Sequence, residues 1–265
     1  SGNRLLAELY FPADKAPGNC GRICDLISDE LRIPLDTAPP VHSGKELRLR
    51  VFEKPAYSIQ VCAAATCAGG SRESGDTSMT FTDGTGGAYV VLSDGMGCGR
   101  EAAVESRLVV RMFRRLITCG ADYSSAIRLI NSIMLTKSGE ESFATLDAVR
   151  IDLDSCGLTV IKSGAAATLI RHRDTVMKIS QSTFPIGIYE HSETFSRSYD
   201  FEEGDIVIMF SDGISEKEYR FIRELLLSEN DLKHIVDEIC RKADTFNPNV
   251  RSDDVTVIGI RVKKN

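Results

Sequence analysis

The sequence predicts an α+β fold built as a layered sandwich of sheets and helices. Short runs of β-branched and aromatic residues, bounded by Gly, Asp and Ser, recur along most of the chain and indicate buried strands. After the first 53 residues, helical patterns occur as one adjacent pair in the middle of the chain and one late helix, instead of alternating with every strand. Strands and helices grouped in this way are typical of α+β proteins, whereas a repeating β-α-β order would indicate a parallel sheet.

The first 53 residues are predicted to be a separate segment. Apolar positions at helical spacing, with Asn19 in place to cap them, predict a helix over residues 19–31. Alternating apolar and charged residues predict a half-buried strand over residues 45–52. Since 265 residues can hold one main domain and a smaller appendage, we assign residues 54–265 to the main domain. Residues 1–53 are then a small N-terminal appendage or the tail of an upstream regulatory region.

Within the main domain, strands, a helix pair, further strands and a late helix follow one another. Apolar runs predict strands over residues 58–64, 79–82, 88–92, 144–152, 157–162, 168–171, 176–179, 195–199, 206–210 and 255–262. Helical spacing predicts helices over residues 101–119, 124–135 and 231–243. The apolar stripes predicted for the helix pair are Val104, Leu108, Met112 and Leu116 in the first helix and Ile127, Ile130 and Met134 in the second.

Composition and charge exclude several classes of partner. The net charge is −6 and no run of Lys or Arg occurs, which argues against nucleic acid and against membrane contact by this fragment. No stretch approaches the roughly 20 apolar residues of a membrane helix. The eight cysteines include no zinc-binding pattern with His. A chain of this length and apolar content does not need disulfides, so we expect reduced thiols and a cytoplasmic location. The sequence leaves open whether a longer protein is anchored in a membrane and whether the domain forms a homodimer.

Four acidic turns are the most informative feature of the chain, because each lies beside an apolar run. They are Ser74-Gly75-Asp76, Ser93-Asp94-Gly95, Ser211-Asp212-Gly213 and Ser252-Asp253-Asp254. A carboxylate at the end of a buried strand is anchored by the core yet faces the loop side, and Gly lets the backbone approach a ligand closely. Each turn taken alone is also ordinary turn chemistry. Together the turns predict that several carboxylates converge on one site for a hard cation.

The chemistry of such a site favours phosphate-ester hydrolysis. Carboxylates and backbone carbonyls suit Mg²⁺ and Mn²⁺, whereas zinc favours His and Cys. Two such ions can activate a water for attack on a phosphoryl group, which then requires no protein nucleophile. Nucleophilic alternatives have little support, because the four histidines lie in polar stretches and no Gly-x-Ser-x-Gly turn occurs. The glycine-rich residues 84–87 precede a strand, which favours a hairpin turn over a phosphate loop.

A series of short motifs carries a more specific signal. In chain order they are Ser74-Gly75-Asp76, Leu92-Ser93-Asp94-Gly95-Met96-Gly97, Ser142-Phe143-Ala144-Thr145-Leu146-Asp147, Phe184-Pro185-Ile186-Gly187-Ile188, Met209-Phe210-Ser211-Asp212-Gly213-Ile214 and Asp253-Asp254-Val255-Thr256-Val257. Over about residues 56–263 the series resembles the phosphatase domains of the stage II sporulation protein E family, which are metal-dependent PPM (protein phosphatase 2C-like) serine/threonine phosphatases. The resemblance implies a four-layer α-β-β-α sandwich, in which two antiparallel sheets are flanked by helix pairs.

The resemblance also implies a site for two Mn²⁺ or Mg²⁺ ions. Asp94 is expected to bridge both ions, with the backbone carbonyl of Gly95 as a neighbouring ligand and Asp76 as a further acid on that side. Asp212 and Asp253 are expected to hold the other ion. Asp94 and Asp212 are therefore the residues expected to carry catalysis, through a metal-activated water.

Further expectations concern the surroundings of these ligands. Asp254 matches an acid that lies beside the ligands in this group. Arg72 is a candidate for contacting the substrate phosphate, with a solvated loop arginine as the alternative. The short, charged residues 215–229 suggest a reduced substrate-facing flap. In the family, the helix pair moves the glycine carbonyl into or out of the metal site; the same switch is predicted for Gly95, with a packed core helix as the alternative.

These observations predict a Mn²⁺- or Mg²⁺-dependent protein serine/threonine phosphatase. The resemblance points to a phosphoprotein substrate similar to an anti-anti-sigma factor, in sporulation or related signalling. One alternative is a catalytically weak or inactive PPM-fold module that binds or signals, although the intact set of acids argues against it. Another is a broad phosphomonoesterase that acts on small molecules. The sequence does not identify the substrate, the metal used in the cell or the function of residues 1–53.

Overall fold

The structure, a computed structural model, describes residues 5–12, 19–67, 73–97, 99–136, 142–190, 194–246 and 253–265. It divides into two compact units, Ser1–Ala56 and Tyr57–Asn265. Within the described ranges, no helix is both long enough and apolar enough to cross a membrane.

The first unit is a small sheet with one helix. Its elements are β1 (Leu6–Pro12), α1 (Cys20–Leu31), β2 (Leu35–Thr37), β3 (Val41–Ser43) and β4 (Glu46–Glu53). Strand β4 pairs antiparallel with each of the other three strands. Cys24 of the helix packs on Leu49 and Val51 of β4, which are fully buried. The helix predicted over residues 19–31 is confirmed, and the side chain of Asn19 accepts a hydrogen bond from Arg22 N as its cap.

The second unit contains two five-stranded sheets and four helices among the described residues. Its elements in chain order are β5 (Tyr57–Thr66), β6 (Asp76–Thr82), β7 (Gly87–Asp94), α2 (Arg100–Thr118), α3 (Tyr123–Thr136), β8 (Leu146–Asp152), β9 (Leu158–Ser163), β10 (Thr168–His172), β11 (Thr175–Ile179), β12 (Phe195–Tyr199), β13 (Ile206–Phe210), α4 (Tyr219–Ser228), α5 (Leu232–Phe246) and β14 (Val255–Lys264).

Both sheets are antiparallel throughout their described pairings. One sheet, here called the β7 sheet, has the strand order β12-β9-β8-β7-β6. The other, the β13 sheet, has the order β11-β10-β13-β14-β5. The chain therefore crosses from one sheet to the other several times, which brings loops from distant parts of the sequence to the same edge.

The two sheets pack face to face and each carries a helix pair on its outer face. Residues such as Leu92, Val149 and Met209 are buried between the sheets. Helices α2 and α3 cover the β7 sheet through a second apolar cluster, and α4 and α5 cover the β13 sheet through a third. This is the predicted four-layer α-β-β-α sandwich.

Helix α2 buries a different face from the predicted one. Val104 is 48 % exposed, and Leu108, Met112 and Leu116 are only partly buried. The fully buried positions of this helix are Ala102, Ala103, Ser106, Val109, Val110, Phe113 and Ile117. A strict spacing of four drifts by about 40° around the helix at each step, so such a stripe leaves the core face. In α3 the predicted positions Ile127, Ile130 and Met134 are buried.

Residues 215–229 form regular structure. Ser215 begins a 3₁₀ turn over Glu216–Glu218, and the side chain of Glu218 accepts a hydrogen bond from Ser215 N at 2.6 Å. Helix α4 follows directly and buries Ile222 and Leu226. The charged residues Arg220, Arg223 and Glu224 lie on the outer face of this amphipathic helix, and the reduced flap stays a prediction.

Candidate metal centre

Two of the predicted acids meet at one end of the β6–β7 hairpin. Asp76 begins β6, Asp94 ends β7, and the two are directly paired across the strands. Directly opposed residues have their side chains close together on one face of a sheet. Like charges in that position repel each other, so the pair is costly unless a cation or protons compensate it.

The next two acids come from the β13 sheet. Strand β13 ends at Phe210 and is followed by Ser211 and then Asp212. Asp253 lies just before β14, the strand that pairs with β13. Ser211 N donates to Thr256 O at 3.0 Å, and Ser211 Oγ accepts from Thr256 N at 2.9 Å. These hydrogen bonds hold the loops that carry Asp212 and Asp253 next to each other. Ser252, the first residue of the last acidic turn, lies outside the described residues.

Asp254 joins the two sets of loops. This residue is only 2 % exposed, and its Oδ2 accepts a hydrogen bond from Gly75 N at 2.6 Å. Asp254 belongs to the β13 sheet side, whereas Gly75 directly precedes Asp76 on the β7 sheet side. The Asp254 carboxylate therefore joins the backbone next to Asp76 to the turn that contains Asp253.

Gly95 lies directly against the first turns of helix α2. A Cβ atom added to Gly95 would lie 2.0 Å from the carbonyl oxygen of Ala102, so only glycine fits there. Gly95 N also donates to Gly75 O at 3.4 Å, and Ser106 Oγ of α2 donates to the same oxygen at 2.6 Å. The position of α2 is thus linked to the backbone at Gly75 and at Gly95.

Thr145 is a site residue to which the sequence analysis assigned no role. Its Oγ1 accepts a hydrogen bond from Asp94 N at 2.9 Å, and its own N–H donates to Asp94 O at 2.8 Å. Ser93 Oγ donates to Thr145 O at 2.6 Å. Thr145 therefore fixes the backbone on both sides of the Asp94 side chain. Its presence in one of the motifs that carry the family resemblance was the available signal.

Burial and mutual repulsion raise the pKa values of Asp76, Asp94 and Asp253. Burial, followed by the charges of Asp76, Asp212 and Asp253, raises the pKa of Asp94 to about 9. Burial and the charge of Asp212 raise the pKa of Asp253 to about 6. Burial also raises the pKa of Asp76, and the charges of Asp254 and Asp212 act in the same direction. The charges of acids from the two sheets therefore act on one another, although Asp212 itself is exposed.

The donor set fits a hard divalent cation. Both carboxylate oxygens of Asp76 are buried and have no hydrogen-bond partner among the described residues. Buried polar atoms normally find a partner, so these oxygens fit a bound cation. In the described part of the chain, no three His, Cys, Asp or Glu side chains close around a single point. The acids line a shared space, which suits ions that keep several waters and bind only a few carboxylates.

Two predicted features have different outcomes. The hairpin predicted at residues 84–87 is confirmed, since Asp83 Oδ1 accepts hydrogen bonds from Thr85 N at 2.7 Å and Gly87 N at 2.9 Å, closing the turn between β6 and β7. Arg72, the candidate for phosphate contact, lies outside the described residues.

Solved structures with this arrangement of layers are PPM-type phosphatase domains. The chain superposes on the structure of the PP2C phosphatase domain, with a fragment of the regulatory domain, of the cell fate determinant SpoIIE from Bacillus subtilis. The TM-score is 0.73 and the identity 27 %, covering 99 % of this chain and 79 % of that chain. The serine/threonine phosphatase of S. agalactiae shares the fold, with a TM-score of 0.63 and 17 % identity over 78 % of this chain and 100 % of that chain. Fold and site together define a PPM-type serine/threonine phosphatase domain.

Sequence comparison narrows this class to one family. The family model for stage II sporulation protein E (SpoIIE) matches residues 84–263. Stage II sporulation protein E of Bacillus subtilis (strain 168) is 28 % identical over 92 % of this chain and 30 % of that protein. The Priestia megaterium protein of the same name is 30 % identical over 97 % of this chain and 46 % of that protein. The chain belongs to the stage II sporulation protein E family, and it spans less than half the length of these relatives.

Proposed function

We propose that the domain hydrolyses phosphoserine or phosphothreonine in a protein substrate and depends on two Mn²⁺ or Mg²⁺ ions. The observation that carries this proposal is the paired Asp76 and Asp94, with buried and unpartnered oxygens on Asp76, facing acids from the other sheet. Membership of a phosphatase family supports the same reaction.

The proposed ligands divide between the two sheets. Asp94, the carbonyl of Gly95 and Asp76 would bind on the side of the β7 sheet, and Asp212 and Asp253 on the side of the β13 sheet. When bound, two such ions supply a water of lowered pKa and a positive environment for the phosphoryl oxygens. The protein would hold these proposed metal ligands in position before the substrate binds.

That positioning depends on neighbours of the ligands. Thr145 fixes the backbone on both sides of the Asp94 side chain through two hydrogen bonds. Asp254 fixes Gly75, next to Asp76, and is buried beside the proposed ligands. Groups held this way need little rearrangement when charge develops on the phosphate, which is where preorganised sites gain their effect.

The family supports a substrate class and a setting. We propose a small phosphoprotein similar to an anti-anti-sigma factor, met in the cytoplasm during sporulation or related signalling. The B. subtilis relative is described as a cell fate determinant, which is in keeping with a regulatory substrate rather than a metabolite.

A phosphate-release assay tests the proposal against its two alternatives. The unmodified domain is incubated with a phosphoserine protein and, separately, with p-nitrophenyl phosphate, with and without Mn²⁺, beside the Asp94→Asn variant. Mn²⁺-dependent release from the phosphoprotein, lost in the variant, supports the proposal. Equal efficiency on both substrates favours a broad phosphomonoesterase. Binding of the phosphoprotein without release favours an inactive signalling module.

A further inference from the structure

A buried ion pair lies next to the proposed metal centre and is not among its ligands. Asp147 of β8 and Lys162 of β9 are register partners, and Lys162 Nζ lies 2.8 Å from Asp147 Oδ2. The two side chains are 3 % and 0 % exposed. Lys162 Nζ also donates to the carbonyl oxygen of Ala166 at 2.6 Å.

The pair also links the two sheets. Thr168, which begins β10 of the β13 sheet, donates from its Oγ1 to Asp147 Oδ2 at 3.0 Å. Ala166 lies on the connection between β9 and β10, where the chain passes from the β7 sheet to the β13 sheet. Asp147 and Lys162 thus hold the sheets together close to the place where each sheet presents its acids.

Asp147 lines a small cavity together with two of the proposed ligands. The cavity wall includes Asp94, Thr145, Asp147, Ala166 and Asp212. Its volume is ≈ 20 Å³, which is room for about one water. Leu92, Ala165 and Phe210 make part of the wall apolar. The polar side chains available to bind that water belong to Asp94, Thr145, Asp147, Ser211 and Asp212.

One of the two carboxylate oxygens of Asp147 has no hydrogen-bond partner among the described residues. Oδ2 accepts from both Lys162 and Thr168, whereas Oδ1 is buried and has no hydrogen-bond partner among the described residues. A buried carboxylate oxygen without a partner is costly, and a bound water is the usual way to satisfy it.

We propose that Asp147 is a positioning residue for the phosphatase reaction: its Oδ1 holds a water in the cavity it shares with Asp94 and Asp212, and Lys162 anchors its Oδ2. The inference rests on the proposed function. The alternative is an ion pair that serves only stability. Apolar replacement of a buried ion pair often leaves stability unchanged or raises it, so the two roles can be separated.

Two variants distinguish these roles. The Asp147→Leu/Lys162→Met double variant removes both charges and fills similar volume. Asp147→Asn is the second variant, because its amide oxygen must accept from Lys162 and Thr168. The amide nitrogen then faces the cavity, so an acceptor becomes a donor. Each variant is compared with the unmodified domain in thermal unfolding, in kcat and KM with Mn²⁺ and a phosphoserine protein, and in a high-resolution crystal structure.

The expected result is a water within hydrogen-bond distance of Asp147 Oδ1 in the unmodified domain and its loss in the double variant. In Asp147→Asn, a water bound at this position has to accept a hydrogen bond from the amide nitrogen instead of donating one to the carboxylate. We expect kcat to fall by about 10- to 100-fold with KM little changed, a loss typical of groups that orient ligands. We also expect the double variant to unfold near the original temperature. A double variant with unchanged kcat, or an unmodified domain with no water at Oδ1, overturns the inference.

Failure of the proposed function would be visible separately. If the unmodified domain releases no phosphate in the presence of Mn²⁺, the proposed function is wrong, and with it the catalytic part of the inference. The water site is still judged from the crystal structures, where a water at Asp147 Oδ1 that disappears in the double variant supports it and an empty position overturns it.

Discussion

Asp94 is the residue at which most interactions of the site meet. It is paired with Asp76 across the hairpin, its backbone is held by Thr145, and its pKa is raised by acids from both sheets. Burial of several carboxylates without compensating charge opposes folding. Cations bound among these carboxylates would supply the compensating charge.

Asp94→Asn and Asp212→Asn should each reduce kcat by several orders of magnitude while the fold is retained. Each change removes a negative charge from the proposed ligands and leaves the side-chain shape almost unaltered. Phosphate release with saturating Mn²⁺ measures the effect, and circular dichroism checks the fold. The matched control is Asp237→Asn on the exposed face of α5, where the Asp237 side chain is 50 % exposed and, among the described residues, forms an ion pair only with Lys233. Near-normal kcat in both site variants would rule out the two-ion mechanism.

The metal-free domain should lose stability as the pH rises. The pKa of Asp94 is about 9 in the folded state, against about 3.9 for an aspartate in an unfolded chain. The folded state therefore binds the proton more tightly, so the stabilising effect is complete below about pH 4 and is lost as the pH rises through the folded pKa. Asp76 and Asp253 shift in the same direction.

Chemical denaturation in the presence of a chelator, at several pH values between about 5 and 9, measures this effect. Asp94→Asn should flatten the pH dependence, because the amide does not titrate. The explanation fails if the variant and the unmodified domain lose stability in parallel over this range.

At the level of single residues, the sequence drew attention to the carboxylates, whose roles as ligands stay predictions, but not to the residues that hold them in place. Asp76, Asp94, Asp212 and Asp253 stand out because each follows or precedes an apolar run. The supporting hydrogen bonds join residues about 50 or more positions apart, such as Thr145 with Asp94 and Asp254 with Gly75. Local pattern carries no information on such pairs, which only the folded topology brings together.

Helix α2 is the element most closely connected to the site. Its residue Ala102 contacts Gly95, and its buried Ser106 donates to the carbonyl of Gly75 and is 2.8 Å from Thr77 Oγ1. Movement of α2 would therefore displace backbone next to two proposed ligands. The predicted switch at this helix stays a prediction, and these contacts are the route through which it would act.

Ser106→Ala should raise the Mn²⁺ concentration needed for half-maximal activity and leave KM for the phosphoprotein nearly unchanged. Loss of the hydroxyl removes the hydrogen bond to Gly75 O and so loosens the backbone beside Asp76. Couplings of this kind typically amount to about 1–3 kcal/mol, which corresponds to a shift of about 5- to 150-fold.

A control in the neighbouring helix separates this effect from general destabilisation. Ser132→Ala removes a hydroxyl of α3 that, among the described residues, donates only to Arg128 O of its own helix. Ser132→Ala should leave the Mn²⁺ requirement unchanged. If Ser106→Ala lowers thermal stability but does not move the Mn²⁺ requirement, α2 is a packing helix and the switch is wrong for this chain.

At the level of elements, the long buried strands were easier to predict than the buried faces of helices or the short and half-buried strands. Runs such as 206–210 are buried on both sides, so their apolar sequence is unambiguous. The face of α2 was mispredicted because the predicted stripe begins at the exposed Val104 and continues through Leu108, Met112 and Leu116, which lie at the edge of the buried face. The strands β1, β2 and β3 were not predicted, because they are short or only half buried and lack a distinctive pattern.

The whole second unit depends on the meeting of two sheets. The proposed ligands are divided between them, and contacts across the gap include Asp254 to Gly75 and Asp147 to Thr168. An ion bound to acids from both sheets would favour the closed, folded arrangement over the unfolded chain.

Mn²⁺ should therefore raise the thermal unfolding temperature, but only at millimolar or high micromolar concentrations. Sites that use few carboxylates and retain several waters bind these ions weakly. Calorimetric titration and thermal unfolding of the unmodified domain measure both quantities, with the Asp94→Asn variant as the control that should show little response. Submicromolar affinity at every site would contradict this expectation.

The fold class could be predicted from the sequence because strands and helices occur in groups instead of alternating. The order of strands in each sheet could not, since it depends on pairings such as β5 with β14, which lie at opposite ends of the unit. The family resemblance supplied the number of layers, which local pattern alone did not define.

The most direct test of a two-ion site between the sheets is anomalous diffraction from a crystal soaked in Mn²⁺. We expect two peaks, both near Asp94, with one next to Asp76 and the other next to Asp212 and Asp253. In crystals of Asp94→Asn treated in the same way, we expect both peaks to weaken or disappear. Peaks that lie only away from these acids, or no peak at Asp94 at millimolar Mn²⁺, would contradict the account.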